Sequence, residues 1–198
     1  MTQALSIDPR STALVLIDLQ HSNVGRELEP HPAANVVANS VRAADALRAA
    51  GGTIVFVRVD LAQLLSLPAD APLRPRDAPA PPPQASDLVS ECNVQAGDLI
   101  VTKRQWGAFY GTELEQQLRR RGIRTIALTG IATNFGVEST ARTAFDQGYE
   151  LIFIEDAMSS LSGDAHRFSV EQIFPRMGFV RSTEEFVSAV AVTGAFGA

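Results

Sequence analysis

The chain has 198 residues, 45% hydrophobic and 20% charged, with a formal net charge of -5. That length allows one large domain with a substantial core, and the acidic balance argues against nucleic acid as a partner. Cys92, the single cysteine, excludes an intramolecular disulfide and a CxxC metal site; no apolar run approaches membrane-spanning length and the first ten residues lack the apolar core of a signal peptide, so a cytoplasmic location is expected.

Thr12–Leu19, "TALVLIDL", is a nearly continuous apolar run ending in an acid, the pattern of a strand buried on both faces. Between Pro32 and Gly51, Val36, Val37, Val41, Ala44 and Leu47 recur at helical spacing, and Gly51-Gly52 closes the helix. Thr53–Asp60 and Asp98–Lys103 read as the second and third strands. "TELEQQLRRRG" predicts a helix with Thr112 as N-cap, Glu115 at the capping-box position and Gly122 as stop. The fourth strand, "RTIALTG", passes into the helix "GVESTARTAFDQG", and "ELIFIEDA" is the fifth strand. A helix through "DAHRFSVEQIFPRMG", a short strand "FVRS" and a helix "TEEFVSAV" follow. This alternation predicts an α/β chain of one three-layer α/β/α domain over residues 1–198, its parallel sheet covered by helices on both faces.

Ala62–Ser86 interrupts the rhythm with seven prolines. Proline at this density builds neither strand nor helix interior, so a long loop is expected, either a surface excursion or a lid over a site.

In open α/β sheets, ligands bind beyond the carboxyl ends of the strands. Those ends carry Asp18, Asp60, Lys103, the stretch Gly130–Gly136 and Glu155-Asp156. No dinucleotide fingerprint, Walker loop or GxSxG elbow is present. His21, His31 and His166 are scattered without metal-ligand spacing, although His21 could face the cleft. An acid closing an apolar strand must be paired or protonated, so Asp18 either acts chemically or caps a neighbouring loop. Lys103 either serves the site or snorkels to solvent. Trp106, Phe109 and Tyr110 among glycines suit a pocket wall or ordinary packing under a loop. Asn134 and Phe135 lie in the loop after the fourth strand.

Together, "LVLIDLQ", "VTKRQWGAFYGTELEQQLRRRGI" and "TIALTGIATNFGVESTARTAFDQGYELIFIEDA" resemble the isochorismatase-like, or cysteine, hydrolases over about Thr12–Phe186. The resemblance implies a six-stranded sheet of order 3-2-1-4-5-6 and a cis peptide at Ile131–Ala132. It also implies an Asp/Lys/Cys set on successive strand ends, matching Asp18, Lys103 and position 136. Here that position is Gly136. The family's amidases place a nucleophilic cysteine there, whereas its isochorismatases carry glycine and hydrolyse a vinyl ether without a covalent intermediate. The resemblance therefore implies hydrolysis of a small, anionic metabolite with Asp18 as acid/base, Lys103 as its partner and backbone N–H groups of Ala132 and Gly136 for a developing anion. The alternative is a catalytically silent ligand-binding or assembly module. The nicotinamidases' Asp-x-His metal motif has no counterpart, since Leu61-Ala62 follow Asp60, so neither metal nor cofactor is expected. A homo-oligomer, dimer or tetramer, is the family's usual state.

Overall fold

A computed structural model describes residues 5–65, 67–75 and 77–194. Six strands, β1 (Thr12–Ile17), β2 (Thr53–Val59), β3 (Leu99–Lys103), β4 (Thr125–Ile131), β5 (Glu150–Ser159) and β6 (Gly178–Arg181), form one sheet of order β3-β2-β1-β4-β5-β6. Every neighbouring pair is parallel. The helices are α1 (His21–Val24), α2 (Ala33–Ala49), α3 (Leu114–Arg119), α4 (Glu138–Asp146), α5 (Gly163–Phe168) and α6 (Thr183–Gly194).

The apolar run of β1 is explained by its place at the centre of the sheet. Ala13, Val15 and Ile17 pack into one core with Leu114 and Leu118 of α3 and Ala141 and Ala144 of α4. Leu14 and Leu16 point the other way, into a core with Val36 and Leu47 of α2 and Phe186 and Val190 of α6. Side chains alternate across a strand, so a strand covered on both faces must be apolar at every position. Each fully buried Val, Leu or Ile contributes about 1.5–3 kcal/mol of transfer free energy, so these two cores carry most of the drive to fold.

Two elements differ from the sequence reading. Helix α3 begins at Leu114 with Glu113 as its N-cap residue; Thr112 instead accepts from Leu114 N–H at 3.2 Å and donates to the Ala108 carbonyl at 2.5 Å. Its hydroxyl ties the helix start to the preceding loop, and Glu115 reaches forward to Arg119 and makes no capping box. The long helix expected after β5 is divided into α5, a π-helical turn Ser169–Ile173 and a 3₁₀ turn Phe174–Arg176 with Pro175 in its first turn. Proline lacks the N–H that a continuing helix requires.

The carboxyl edge of β1 and β4 is unusually close-fitting. Gly130 has φ +115°, and a Cβ there would fall 2.1 Å from the Ile17 carbonyl oxygen, so only glycine lets the two strands meet. The Ile131–Ala132 peptide that follows is cis. Beyond it the chain makes one π-helical turn, Thr133–Val137, before α4 begins.

Candidate active site

Asp18 follows directly on β1 and has φ +53°, a left-handed conformation that non-glycine residues seldom adopt. Its surroundings hold it there. Asp18 N–H donates to the Val57 carbonyl at 2.9 Å, and the Asp18 carbonyl accepts from Gln20 N–H at 2.8 Å and from Asn23 Nδ2 at 3.0 Å. Gln20 is itself fully buried and clamps the end of β2, accepting from Val59 N–H at 2.7 Å and donating to the Val59 carbonyl at 3.0 Å. Sequence reasoning passed over Gln20; a polar residue two places beyond a buried strand was the available signal.

Lys103 ends β3, and its Nζ lies 2.7 Å from Asp18 Oδ2. The ammonium also donates to the Trp106 carbonyl at 2.6 Å. Burial pushes the Asp18 carboxyl up to about 6, while Lys103 pulls it down through its charge and its hydrogen bond. Burial wins because the carboxylate is largely removed from water and is compensated at one oxygen only. Asp18 Oδ1 has no hydrogen-bond partner among the described residues.

Gly136 stands against this pair. A Cβ on Gly136 would lie 3.1 Å from Lys103 Nζ, 3.2 Å from Asp18 Oδ2 and 2.9 Å from Ile17 Cγ2. The fold thus gathers Asp18, Lys103 and Gly136 from three separate strand ends. They face a cavity of about 540 Å³ whose floor also includes Ala132 and whose walls include Trp106 and Phe135. The rings of Trp106 and Phe135 meet edge to face at 4.9 Å.

The proline-rich segment contributes Leu64, Leu73, Arg74, Pro81 and Pro82 to the same cavity, and His21 and Arg26 complete its rim. Three expected pocket residues lie elsewhere. Phe109 is buried in the core beside Tyr149, because α3 packs over it. Tyr110 is 82% exposed. The Asn134 side chain accepts from the Ser160 hydroxyl, which turns it away from the cavity toward the end of β5. Cys92 is buried under α2, its thiol pushed up to about 12 by burial and by the charge of Glu91, and it lines no part of the site.

Sequence spacing also concealed a second cluster. His31 Nε2 lies 2.9 Å from Glu155 Oε1, and His166 Nε2 lies 3.4 Å from the same oxygen. Hydrogen bonds from both imidazoles hold the Glu155 carboxyl down at about 2.

A parallel sheet of this order, with a buried carboxylate–ammonium pair at a cavity beyond the strand ends, is a doubly wound α/β scaffold with a candidate active site at its carboxyl edge. The Isochorismatase domain model matches residues 12–185. The chain is 49% identical over 193 residues to YwoC of Bacillus subtilis, an uncharacterized isochorismatase family protein, with 96% of this chain and 100% of that protein covered. It is 29% identical over 213 residues to the ureidoacrylate amidohydrolase RutB of Pantoea ananatis, covering 95% of this chain and 85% of that protein. An isochorismatase family protein from Burkholderia thailandensis superposes with a TM-score of 0.87 at 40% identity, covering 96% of this chain and 100% of that one. The chain belongs to the isochorismatase family of hydrolases.

Proposed function

We propose that the protein hydrolyses a small, anionic metabolite without a covalent enzyme intermediate, with Asp18 as acid/base and Lys103 as its electrostatic partner. The observation that carries this reading is the Asp18 carboxyl itself. One oxygen is held by Lys103 at 2.7 Å and the other has no partner among the described residues, while the group lines the cavity. A carboxyl raised to about 6 is matched to proton transfer near neutral pH. Gly136, where the resemblance puts a nucleophile, has no side chain to attack with; its absence leaves room for substrate against the backbone of the loop. Ala132 and Gly136 supply N–H groups there for charge developing on the substrate. Arg26 and Arg74 give the rim a cationic character suited to an anionic group. Trp106, Phe135 and the proline-rich loop line the cavity without filling it, which favours a site for a small molecule over a purely assembling module, and the half-partnered Asp18 carboxyl favours turnover over silent binding.

The test is a hydrolysis screen of vinyl ethers, amides and small carboxylates, with hits taken to Asp18→Asn and to mass spectrometry of quenched reactions. Turnover that vanishes in Asp18→Asn with no protein adduct supports the mechanism. A covalent adduct, or full activity in Asp18→Asn, overturns it.

A further inference from the structure

The cluster of His31, Glu155 and His166 lies apart from the Asp18 cavity, and the reaction proposed above leaves it unused. We infer that these three residues bind a divalent transition-metal ion of the zinc type at the carboxyl end of β5.

Three segments converge to make the group. His31 sits just past the cis Glu29–Pro30 bond, where Glu29 and Ser160 exchange both backbone hydrogen bonds at 2.8 and 2.9 Å. Its N–H donates to Ser159 Oγ at 3.2 Å, so the loop is fastened to the end of β5. Glu155 comes from β5 itself and His166 from α5. The three potential ligand atoms all lie within 4.8 Å of one another.

The spacing suits a metal as well as it suits hydrogen bonding. Tetrahedral zinc with bonds of about 2.0–2.1 Å places neighbouring ligand atoms about 3.3 Å apart. The two imidazole–carboxylate separations, 2.9 and 3.4 Å, fall on either side of that figure. The longer one exceeds the ~2.7–2.9 Å usual for a charge-assisted N–H to carboxylate bond. Two imidazoles with one carboxylate is a donor set for zinc or a similar ion; magnesium and calcium favour oxygen ligands throughout.

The surroundings add an outer contact and an open side. His166 Nδ1 is hydrogen-bonded to Thr133 Oγ1 at 2.8 Å, which fixes the ring with Nε2 toward Glu155, as an outer hydrogen bond does for metal-ligating histidines. A cleft of about 460 Å³, lined by Glu155 and His166 with Glu29, Ser162 and Asp164, adjoins the group and leaves space for a fourth ligand. Thr133 also opens the π-helical turn that carries Gly136, so an ion here would brace the catalytic loop from behind.

The experiment titrates EDTA-treated, dialysed protein with zinc sulfate by calorimetry and follows cobalt substitution by visible absorption. One equivalent of zinc per chain is expected, with the intense visible bands of four- or five-coordinate cobalt. His31→Gln and Glu155→Gln should weaken zinc by at least about 100-fold. Thr133→Val keeps all three ligands and should weaken it by about 10–100-fold. His21→Ala should bind like the unaltered chain. Absence of saturable binding, a weak six-coordinate cobalt spectrum, or affinities unchanged in all the cluster variants would each overturn the assignment. Circular dichroism on every variant separates lost binding from lost fold.

Discussion

Asp18 Oδ2 and Lys103 Nζ lie 2.7 Å apart, with their side chains 9% and 1% exposed. Two ions so far from water are each costly alone, and removing one partner leaves the other uncompensated. Lys103→Ala is therefore expected to cost about 3–5 kcal/mol, and more if the Trp106 carbonyl is also left unpaired. Asp18→Asn keeps a polar group of the same shape beside the ammonium and should fold. It should nevertheless abolish turnover. Melting temperatures and activities of the two variants check the pair: a stable Lys103→Ala protein would show that burial there is less complete than the geometry indicates.

The raised Asp18 carboxyl gives a defined pH dependence. Its value moves from 3.8 to about 6 on folding, so between those values the folded chain holds a proton that the unfolded chain has released. Stability contributed by this group is present below 3.8, declines as pH rises through the window and is level above 6. Subtracting the melting curve of Asp18→Asn from that of the unaltered protein should leave a slope confined to about pH 4–6. In catalysis the protonated form is the acid, so kcat/KM should fall about tenfold per pH unit above 6. A rising limb there would assign Asp18 the role of base.

Much of this was legible in the chain because burial leaves a strong trace. A strand covered on both faces must read as β1 does, and the acid at its end could only be a paired or functional group. The loop Gly130–Gly136 was readable from its place between an apolar strand and a helix and from its likeness to the family's loop, whereas the close approach of Ile17 that forces glycine at 130 shows only in the packing. Phe109, Tyr110 and Asn134 were misplaced because an aromatic or amide beside a site carries no sign of which way it points. Only the packing of α3 and the Ser160 hydroxyl decide that. The His31, Glu155 and His166 cluster was invisible for a different reason. His31 and Glu155 stand 124 positions apart, and only the pairing of Glu29 with Ser160 brings them together.

The two arginines on the cavity rim should determine preference for charged substrates. Arg26 is steadied by its Nε bond to the Ser22 carbonyl at 3.1 Å, and Arg74 donates to the carbonyls of Ala78 and Pro79 within the proline-rich loop. Arg26→Met and Arg74→Met keep the aliphatic reach and remove the charge. Each should raise KM for an anionic substrate by about tenfold, the equivalent of one charge-assisted hydrogen bond of about 1.5 kcal/mol. A neutral analogue should be unaffected. Equal losses for charged and neutral substrates would instead assign these residues to shaping the loop.

Replacing Gly136 by cysteine tests whether the site keeps the electrostatics of a cysteine hydrolase. The backbone allows it, since Gly136 lies outside the left-handed region where a side chain would be strained. The new Cβ would crowd the Ile17 methyl at 2.9 Å and the tips of Lys103 and Asp18 at 3.1 and 3.2 Å. Lys103 and Asp18 need give only a few tenths of an ångström, but the Ile17 methyl is stiff and fully buried, so a folded variant is expected with a small displacement of the loop and some loss of stability. The introduced thiol would sit beside the Lys103 ammonium near the end of the turn that leads into α4. A neighbouring cation favours the thiolate, so its pKa should fall below the ~8.5 of a free cysteine. Cys92, pushed up to about 12, should react too slowly near neutral pH to interfere, and a Cys92→Ser background removes it altogether. Alkylation rate against pH then reads the new pKa directly. A depressed value would mean that glycine alone took away the nucleophile and that Asp18 and Lys103 still form the surroundings of one. An unshifted or raised value in a folded variant would mean that the close Asp18–Lys103 contact consumes the ammonium's field, and that this pocket is built for chemistry without a thiol.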